Sequence, residues 1–372
     1  MNILILNWRD PKNLKAGGAE ISLFEHVKYW RKKGAQIIWF SAFDKNLKKE
    51  ETIAGIKVIR KGSAYTVHIW AFFSYITKRL GNPDIVVDSF HFIPFFSILY
   101  MKKKEKIVGL INEIAGKLWF SNILAPLALI GYVCEPLFIK LYRKNKFITG
   151  SDSAKEALLK IGIAQDKIFV VNHGVHIYKT SSSIKKARKP TILFLGRVEK
   201  DKGINDALEA LRYIKKEIPS AVLWVVGKEE KEATLNTLLE SKYKAIRESV
   251  YYQGFVDEEK KFQLLKQALL LIHPSVKEGW GLTVIEAASQ GVPTVGYNVE
   301  GLRDSVQNGK TGILVQPKNP KLLANAITHL IGDKKLYNTL SKNAQQWSKN
   351  FDWNVSVKKS WNVICQVYEE KK

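Results

Sequence analysis

His273–Gly296 reads HPSVKEGWGLTVIEAASQGVPTVG. It overlaps a short apolar run, Leu269–His273 (LLLIH), of the kind a buried strand has, which Pro274 stops. Gly279 and Gly281 permit a sharp reversal, and Leu282 begins a helical pattern that puts Thr283, Glu286 and Ala287 on one face. Gly291 and Pro293 end the helix, and Thr294–Tyr297 resumes a strand. Strand, glycine loop, helix and strand make a βαβ unit whose helix start, at Leu282 and Thr283, offers N–H groups to an anion such as phosphate. Two carboxylates flank that start, Glu278 in the turn and Glu286 on the helix. An ionised carboxylate only accepts hydrogen bonds and takes two O–H groups at once, which suits a vicinal diol. Two glutamates beside a helix also serve as caps or as a solvated face. Here their spacing coincides with both glycines and the HPS stop.

The same alternation extends outward. Thr191–Leu195 (TILFL) leads into GRVEKDKG and then a helix through Ala207, Leu208 and Leu211. Gly196 opens a turn after the first strand of a βαβ unit, and Arg197 and Lys202 bring two cations to it. Val222–Gly227 and Val250–Phe255 read as further strands. In the first half Ile3–Leu6 precedes Gly17 and Gly18, whose turn lets backbone approach a ligand before a helix through Ile21, Phe24, Val27 and Trp30. Strands follow at Ala35–Ser41, Ile56–Arg60, Asp84–Asp88 and Lys106–Ile111, and Phe147–Ser151 starts the last of this half. Ser153 and Glu156 after it have capping-box spacing. Strands alternating with helices predict parallel, doubly wound sheets with ligands at the carboxyl ends of the strands. Asp88, His91, Asn112 and Glu113 stand at such ends.

A chain of 372 residues exceeds what one core usually organises, so two domains are expected. Apolar and charged fractions of 46% and 25% are ordinary for a globular protein. Two cysteines, Cys134 and Cys365, make neither a disulfide framework nor a zinc site and fit a reducing cytoplasm. His173 and His176 flank Gly174 without carboxylate or cysteine partners, so no metal is assigned there. Residues 2–6 lack a basic leader and a cleavage site, so no signal peptide is expected. The net charge is +24, and residues 1–180 carry 28 Lys/Arg against 14 Asp/Glu. Such a balance is either a solvated lysine-rich surface or attraction to an anionic membrane or nucleic acid.

Glu278 and Glu286 with seven residues between them resemble the E-x7-E block of retaining glycosyltransferases of family 4, which have the GT-B fold. GRVEKDKG resembles that family's GRxxxxKG, the GGAE at Gly17–Glu20 its glycine turn, and NHGV its hinge. The resemblance implies an α/β chain of two Rossmann-like, doubly wound parallel-sheet domains facing across a cleft. Residues 1–175 would bind the acceptor, 176–190 link, and 191–353 bind the donor, with helix 354–372 packing back on the first domain. Residue by residue it implies Glu278, Arg197 and Lys202 as catalytic. Glu286, Gly279, Gly281, Leu282, Thr283, Gly196, Gly17 and Gly18 would hold the donor. Asp88, His91, Asn112 and Glu113 become acceptor-side candidates. Many members carry an active-site histidine where this chain has Asn112, so that role does not transfer; His91, between Phe90 and Phe92, reads either as a substitute or as packed.

The reaction implied moves a hexose-type sugar from a nucleoside-diphosphate sugar to an acceptor hydroxyl with retention. No DxD-type acidic cluster follows a strand, so neither a metal nor another cofactor is expected. A GT-B epimerase or phosphorylase would share the architecture. A nucleic-acid-binding protein would share the charge, but no recognisable nucleic-acid motif gathers it, so no nucleic acid is expected. Phe90–Tyr100 and Leu118–Tyr142 are unusually apolar, the latter too interrupted to span a bilayer. They read either as core or as an interfacial surface. With Phe95, Phe96 and the Lys102–Lys106 cluster, the interfacial reading predicts a peripheral enzyme acting on a lipid-linked acceptor at the cytoplasmic face of an anionic membrane.

Overall fold

A computed structural model describes residues 1–102, 106–176, 178, 183–229 and 234–370, without the side chains of 121–122. The chain divides into unit 1, Met1–Gly174 with Trp353–Lys372, and unit 2, Val175–Asp352.

Unit 1 runs β1 (Asn2–Leu6), α1 (Gly18–Lys32), β2 (Gln36–Ser41), β3 (Glu50–Ile53), β4 (Ile56–Arg60), α2 (Val67–Ile76), β5 (Ile85–Ser89) and α3 (Ser97–Tyr100). It continues through β6 (Lys106–Leu110), α4 (Trp119–Asn122), α5 (Ala125–Leu141), β7 (Lys146–Thr149), α6 (Asp152–Ile161) and β8 (Ile168–Val170). Unit 2 contains β9 (Thr191–Leu195), α7 (Ile204–Glu217), β10 (Val222–Val226), α8 (Thr234–Ser241), β11 (Val250–Gly254), α9 (Glu258–Gln267) and β12 (Leu270–His273). It ends with α10 (Leu282–Ser289), β13 (Thr294–Tyr297), α11 (Leu302–Ser305), β14 (Gly312–Val315), α12 (Pro320–Gly332) and α13 (Lys334–Ser348); α14 (Trp353–Glu369) returns to unit 1.

Both sheets are doubly wound. Unit 1 has the order β3-β4-β2-β1-β5-β6-β7-β8 and unit 2 the order β11-β10-β9-β12-β13-β14. Strands such as NILIL and LLIH are covered on both faces, which is why they read as continuous apolar runs rather than alternating ones. The direction of winding reverses between β1 and β5 in unit 1 and between β9 and β12 in unit 2, and the loops leaving those strands open the crevice where ligands bind. Asn7, Trp8 and His91 therefore stand at one switch point, and Gly196–Lys202 with Pro274–Glu278 at the other.

Several sequence expectations need correction. Strand β3, not anticipated, pairs antiparallel with β4 through a two-residue turn at Ala54 and Gly55, both with positive φ, the hairpin geometry that matches strand twist. The last strand of unit 1 is β8, not the one starting at Phe147. Helix α6 is capped by Ser151, whose Oγ accepts the Ala154 N–H at 3.2 Å, two residues before the Ser153 that the capping-box spacing suggested. Residues 177 and 179–182 of the expected linker lie outside the described residues. Its later part is fastened to unit 2, with Lys186 Nζ 2.6 Å from the Ala268 carbonyl and the Ala187 N–H bonded to the Gln267 carbonyl.

Helix α14 packs on α1. Ser360 Oγ meets Trp30 Nε1 at 3.0 Å and His26 Nδ1 at 2.9 Å. Of the two apolar segments, Phe90 and Phe95 are buried in the core, so Phe95 is not an outward-facing anchor, while Phe96 is half-buried with its ring 5.1 Å from Phe138. The Lys103–Glu105 part of the neighbouring basic cluster lies outside the described residues. Much of α2 and α5 is exposed instead.

Candidate functional site

The loops after β9 and β12 bring the unit 2 residues together. Gly203, at φ 79°, begins α7, and a Cβ there would lie 2.1 Å from the Pro274 carbonyl oxygen. Only glycine permits that approach, and it sets Lys202 against the loop after β12. Lys202 Nζ lies 2.7 Å from Glu278 Oε1, which also accepts from Ser275 Oγ at 2.8 Å. Gly301, at φ 76°, supports the loop from the other side, since a Cβ there would be 2.2 Å from the Glu278 carbonyl. Gly281, at φ 87°, turns the chain into α10, and no side chain caps that helix start.

Burial alone would raise the Glu278 carboxyl. The charges of Lys202 and His273, with the bonds from Lys202 and Ser275, overcome it and hold the group down at about 2. Glu278 is therefore an anion at neutral pH, able to accept hydroxyl groups or face positive charge and unable to serve as an acid. His273 is held low by burial, and its Nε2 lies 3.2 Å from Thr283 Oγ1.

Glu286 lies on α10 with Oε1 2.8 Å from Lys261 Nζ of α9. Burial pushes its carboxyl up, and the Lys261 charge works against that rise. Arg197 is half exposed and pairs with Glu199 at 2.8 Å. Each of the two cations expected at the donor phosphates thus has an internal carboxylate partner that an incoming anion would have to displace. Lys261 and Ser275 were missed in the sequence: Lys261 lies in a lysine-rich helix start where nothing local distinguishes it from solvated neighbours. Gly203 and Gly301 were quotable but gave no sign of which backbone they approach.

In unit 1, Gly17 precedes α1 and its N–H donates to Glu20 Oε2 at 2.8 Å, with Gly18 the first helical residue. Glu20 is 2% exposed, and its Oε1 lies without a hydrogen bond 3.7 Å from His91 Nε2. The His91 ring packs against Trp8 at a tilt of 46° with centroids 5.0 Å apart, so it is partly packed and still beside a carboxylate. Glu20 belongs to the GGAE turn, and its spacing from Gly17 is that of a helix-start carboxylate, a local signal for its role there. Asn112 Oδ1 is buried without a hydrogen-bond partner, beside a cavity of about 20 Å³ also lined by Ser22, His26, Thr149 and His173. Glu113 is half-buried next to it in sequence.

Asp88 is corrected. It is fully buried, with Oδ1 accepting the Phe95 N–H at 2.8 Å and Oδ2 accepting Ser97 N–H, Ser97 Oγ and Tyr142 OH at 3.1, 2.6 and 2.6 Å. It ties the loop after β5 to α3 and the end of α5, and both its oxygens are engaged in doing so.

Among the described residues no group of three or more His, Cys, Asp or Glu gathers as a metal site, and no helix is long and apolar enough to cross a membrane.

Residues 16–178 match the family described as Glycosyltransferase Family 4, and residues 179–347 match Glycosyl transferases group 1. Over 293 residues the chain is 24% identical to a glycogen synthase of Mycobacterium tuberculosis, covering 78% of this chain and 66% of that one. It is 26% identical over 256 residues to the N,N'-diacetylbacillosaminyl-diphospho-undecaprenol alpha-1,3-N-acetylgalactosaminyltransferase of Campylobacter jejuni, 64% of this chain and 65% of that one. The matched stretch thus spans just under two thirds of either relative's length. The structure of Anabaena HepE in complex with UDP-glucose superposes with a TM-score of 0.75 at 19% identity, covering 98% of this chain and 100% of that one, a likeness of fold.

Proposed function

This chain belongs to the family 4 glycosyltransferases of the GT-B type, and from that premise we propose that it moves a hexose-type sugar from a nucleoside-diphosphate sugar to an acceptor hydroxyl with retention of configuration. The observation that carries the reading is the Lys202–Glu278 contact at the unit 2 switch point, beside the uncapped start of α10. Breaking the anomeric bond leaves negative charge on the departing diphosphate, and preorganised positive charge there lowers the barrier. Lys202, Arg197 and the α10 N–H groups at Leu282 and Thr283 provide it, so the step runs without a metal ion. As the diphosphate draws Lys202, the anionic Glu278 faces the sugar, accepting its hydroxyls and opposing oxocarbenium-like charge. Glu286, one helical face along, accepts the ribose diol. A solved structure of similar fold, in complex with UDP-glucose, supports a nucleotide-sugar donor.

The acceptor is a lipid-linked glycan or glycolipid precursor at the cytoplasmic face of the membrane. The net charge of +24 and a relative named for an undecaprenol-diphosphate acceptor support this. The test is mass spectrometry after incubation with a panel of nucleotide-sugars, with and without lipid-diphosphate sugars, in EDTA and in Mg²⁺. Acceptor-dependent gain of one sugar unit, unaffected by EDTA, is expected. A free epimer or sugar phosphate formed without acceptor would replace the transferase reading, and activity lost to EDTA and restored by Mg²⁺ would end the metal-free one.

A further inference from the structure

Helix α5 is built inside out. Its one acid, Glu135, is buried and accepts the Ala115 and Gly116 N–H groups at 2.7 and 2.8 Å and Trp119 Nε1 at 3.2 Å. Gly131 faces the same way, because a Cβ there would lie 2.2 Å from the Trp119 ring. The aliphatic side chains are left outside: Leu127 is 61% exposed, Ile130 59%, Val133 58% and Leu137 56%. A helix shaped only for water would point these groups inward and the acid outward.

Helix α2, which carries no Asp, Glu, Lys or Arg, likewise leaves apolar side chains outside, exposing Ile69, Phe73 and Ile76. The crossovers β4–β5, β5–β6 and β6–β7 advance the same way along the sheet, so α2, α3 and α5 lie on one of its faces. Their inner residues Val67, Ala71, Tyr75, Ile139 and Tyr142 share one core. The outer residues are continuous. Phe72 meets Tyr100 at 5.4 Å, Phe96 meets Phe138 at 5.1 Å, and Leu99 between them is 69% exposed.

Cations border this surface. Lys78 and Arg79 follow α2, Lys102 follows α3, Lys140 lies in the last turn of α5 and Arg143 and Lys144 follow it, all exposed. Lys61 lies 3.9 Å over the ring of the exposed Trp70. Of the acids described between residues 61 and 146, Asp88 and Glu135 are buried and Asp84 and Glu113 half-buried. Exposed aliphatics bordered by aromatic rings and cations suit the headgroup boundary of an anionic bilayer. A second copy of this chain would set those cations against themselves.

We propose that the outer face of α2, α3 and α5 docks unit 1 on an anionic lipid surface, with the aliphatic side chains entering the headgroup boundary and the bordering lysines and arginines meeting lipid phosphates. This deepens the lipid-acceptor reading above and rests on it for its purpose, while lipid binding is measured without donor or acceptor and so stands or falls separately from transfer. The experiment is flotation of the full chain with vesicles of phosphatidylcholine alone and of phosphatidylcholine mixed with phosphatidylglycerol, at low and high salt. Circular dichroism checks each variant's fold. Selective flotation with the anionic vesicles is expected, weakened by salt. Reversing Lys140, Arg143 and Lys144 to glutamate should cut partitioning by roughly 100-fold. The exposed pairs Ile130→Ser with Leu137→Ser, and Ile69→Ser with Phe73→Ser, should each cut it by about tenfold and remove the part that resists salt. Absence of flotation by the folded protein overturns the proposal, as does flotation unchanged by the apolar variants. So does a stable dimer that those variants turn into a monomer, which would make a second copy the occupant.

Discussion

In unit 2, Glu278 lies 2.7 Å from Lys202 and Glu286 lies 2.8 Å from Lys261, and all four side chains keep between 14% and 23% exposure. In unit 1, Asp88 and Glu135 are buried among hydroxyl, indole and backbone N–H donors. Among the described residues, unit 1 also holds a deeply buried ion pair, Asp10 with Arg60 in a bidentate fork at 2.6 and 2.7 Å, both side chains 0% exposed. The contrast separates two uses of a buried acid. Where the partner is a reachable cation, an anionic ligand can take the cation and free the acid for another contact. Where the donors belong to the fold, the acid is a splint. Under the proposed reading the unit 2 pairs are the ones that meet a ligand, while Asp88, Glu135 and Asp10 serve the architecture of unit 1.

The strongest way to break it is Lys202→Met. Removing the cation leaves Glu278 buried and uncompensated, which typically costs about 3–5 kcal/mol. Its carboxyl should titrate nearer the ordinary range, and sugar transfer should fall by at least about 100-fold. Denaturant unfolding and turnover measure the two effects. Unchanged stability and turnover would show that the pair is incidental.

A second test uses pH. In unit 1 burial holds His26 near 3 and both His68 and His173 near 4, and in unit 2 burial holds His273 low. A histidine lowered by folding stays neutral in the folded state while the unfolded chain takes a proton below about 6.5, so stability falls as pH drops through that value. By pH 5.5 each fully buried histidine should lose about 1.4 kcal/mol, or about 3 kcal/mol for His26 and His173 together. Asp88, pushed up by burial, acts in the opposite sense, as does Glu286 in unit 2. Hydrogen exchange, corrected for intrinsic rates, should show unit 1 peptides loosening before unit 2 peptides between pH 7 and 5.5. The reverse order would mean that the histidine cluster around Ser22 and Ser360 does not limit unit 1.

Asp88→Asn sharpens the splint side. The amide cannot accept from every donor that now meets the carboxylate, and the loss should be about 2 kcal/mol of unit 1 stability. Nucleotide-sugar binding in the folded variant should be unchanged. Weakened donor binding would return Asp88 to the site.

These contrasts also show what was legible in the sequence. That Glu278, Arg197 and Lys202 lie on loops leaving strand ends was readable because glycines and strand ends mark those turns locally. The parallel sheets were readable because strands covered on both faces are apolar throughout. Asp88 was misread because standing at a strand's carboxyl end says nothing about whether Tyr142, 54 residues on, will use the carboxylate. Lys261 was missed because its contact with Glu286 spans 25 residues and arises from packing of α9 beside α10. The apolar segment at Leu118–Tyr142 was visible, but which side of the helix faces outward depends on Glu135 finding its backbone donors, a tertiary contact.

The smallest predicted effect concerns what sets the charge of Glu278. Its Oε1 receives both Lys202 Nζ at 2.7 Å and Ser275 Oγ at 2.8 Å. Burial raises the carboxyl most; the Lys202 charge, the His273 charge, the Lys202 bond and finally the Ser275 bond bring it down. Since burial keeps His273 low, the imidazole is uncharged at neutral pH and Lys202 is the cation that acts there. The carboxyl lies below its unfolded value, so its stabilising contribution is present above about pH 4.5 and is lost as pH falls toward about 2. Ser275→Ala should then cost about 1 kcal/mol and shift the acid limb of activity much less than Lys202→Met does. Acid titrations of the two variants, followed by denaturant unfolding and by turnover, decide it. If the serine variant shifts the limb as far as the lysine variant, a neutral donor governs Glu278 after all, and unit 2 handles its buried acid as unit 1 does.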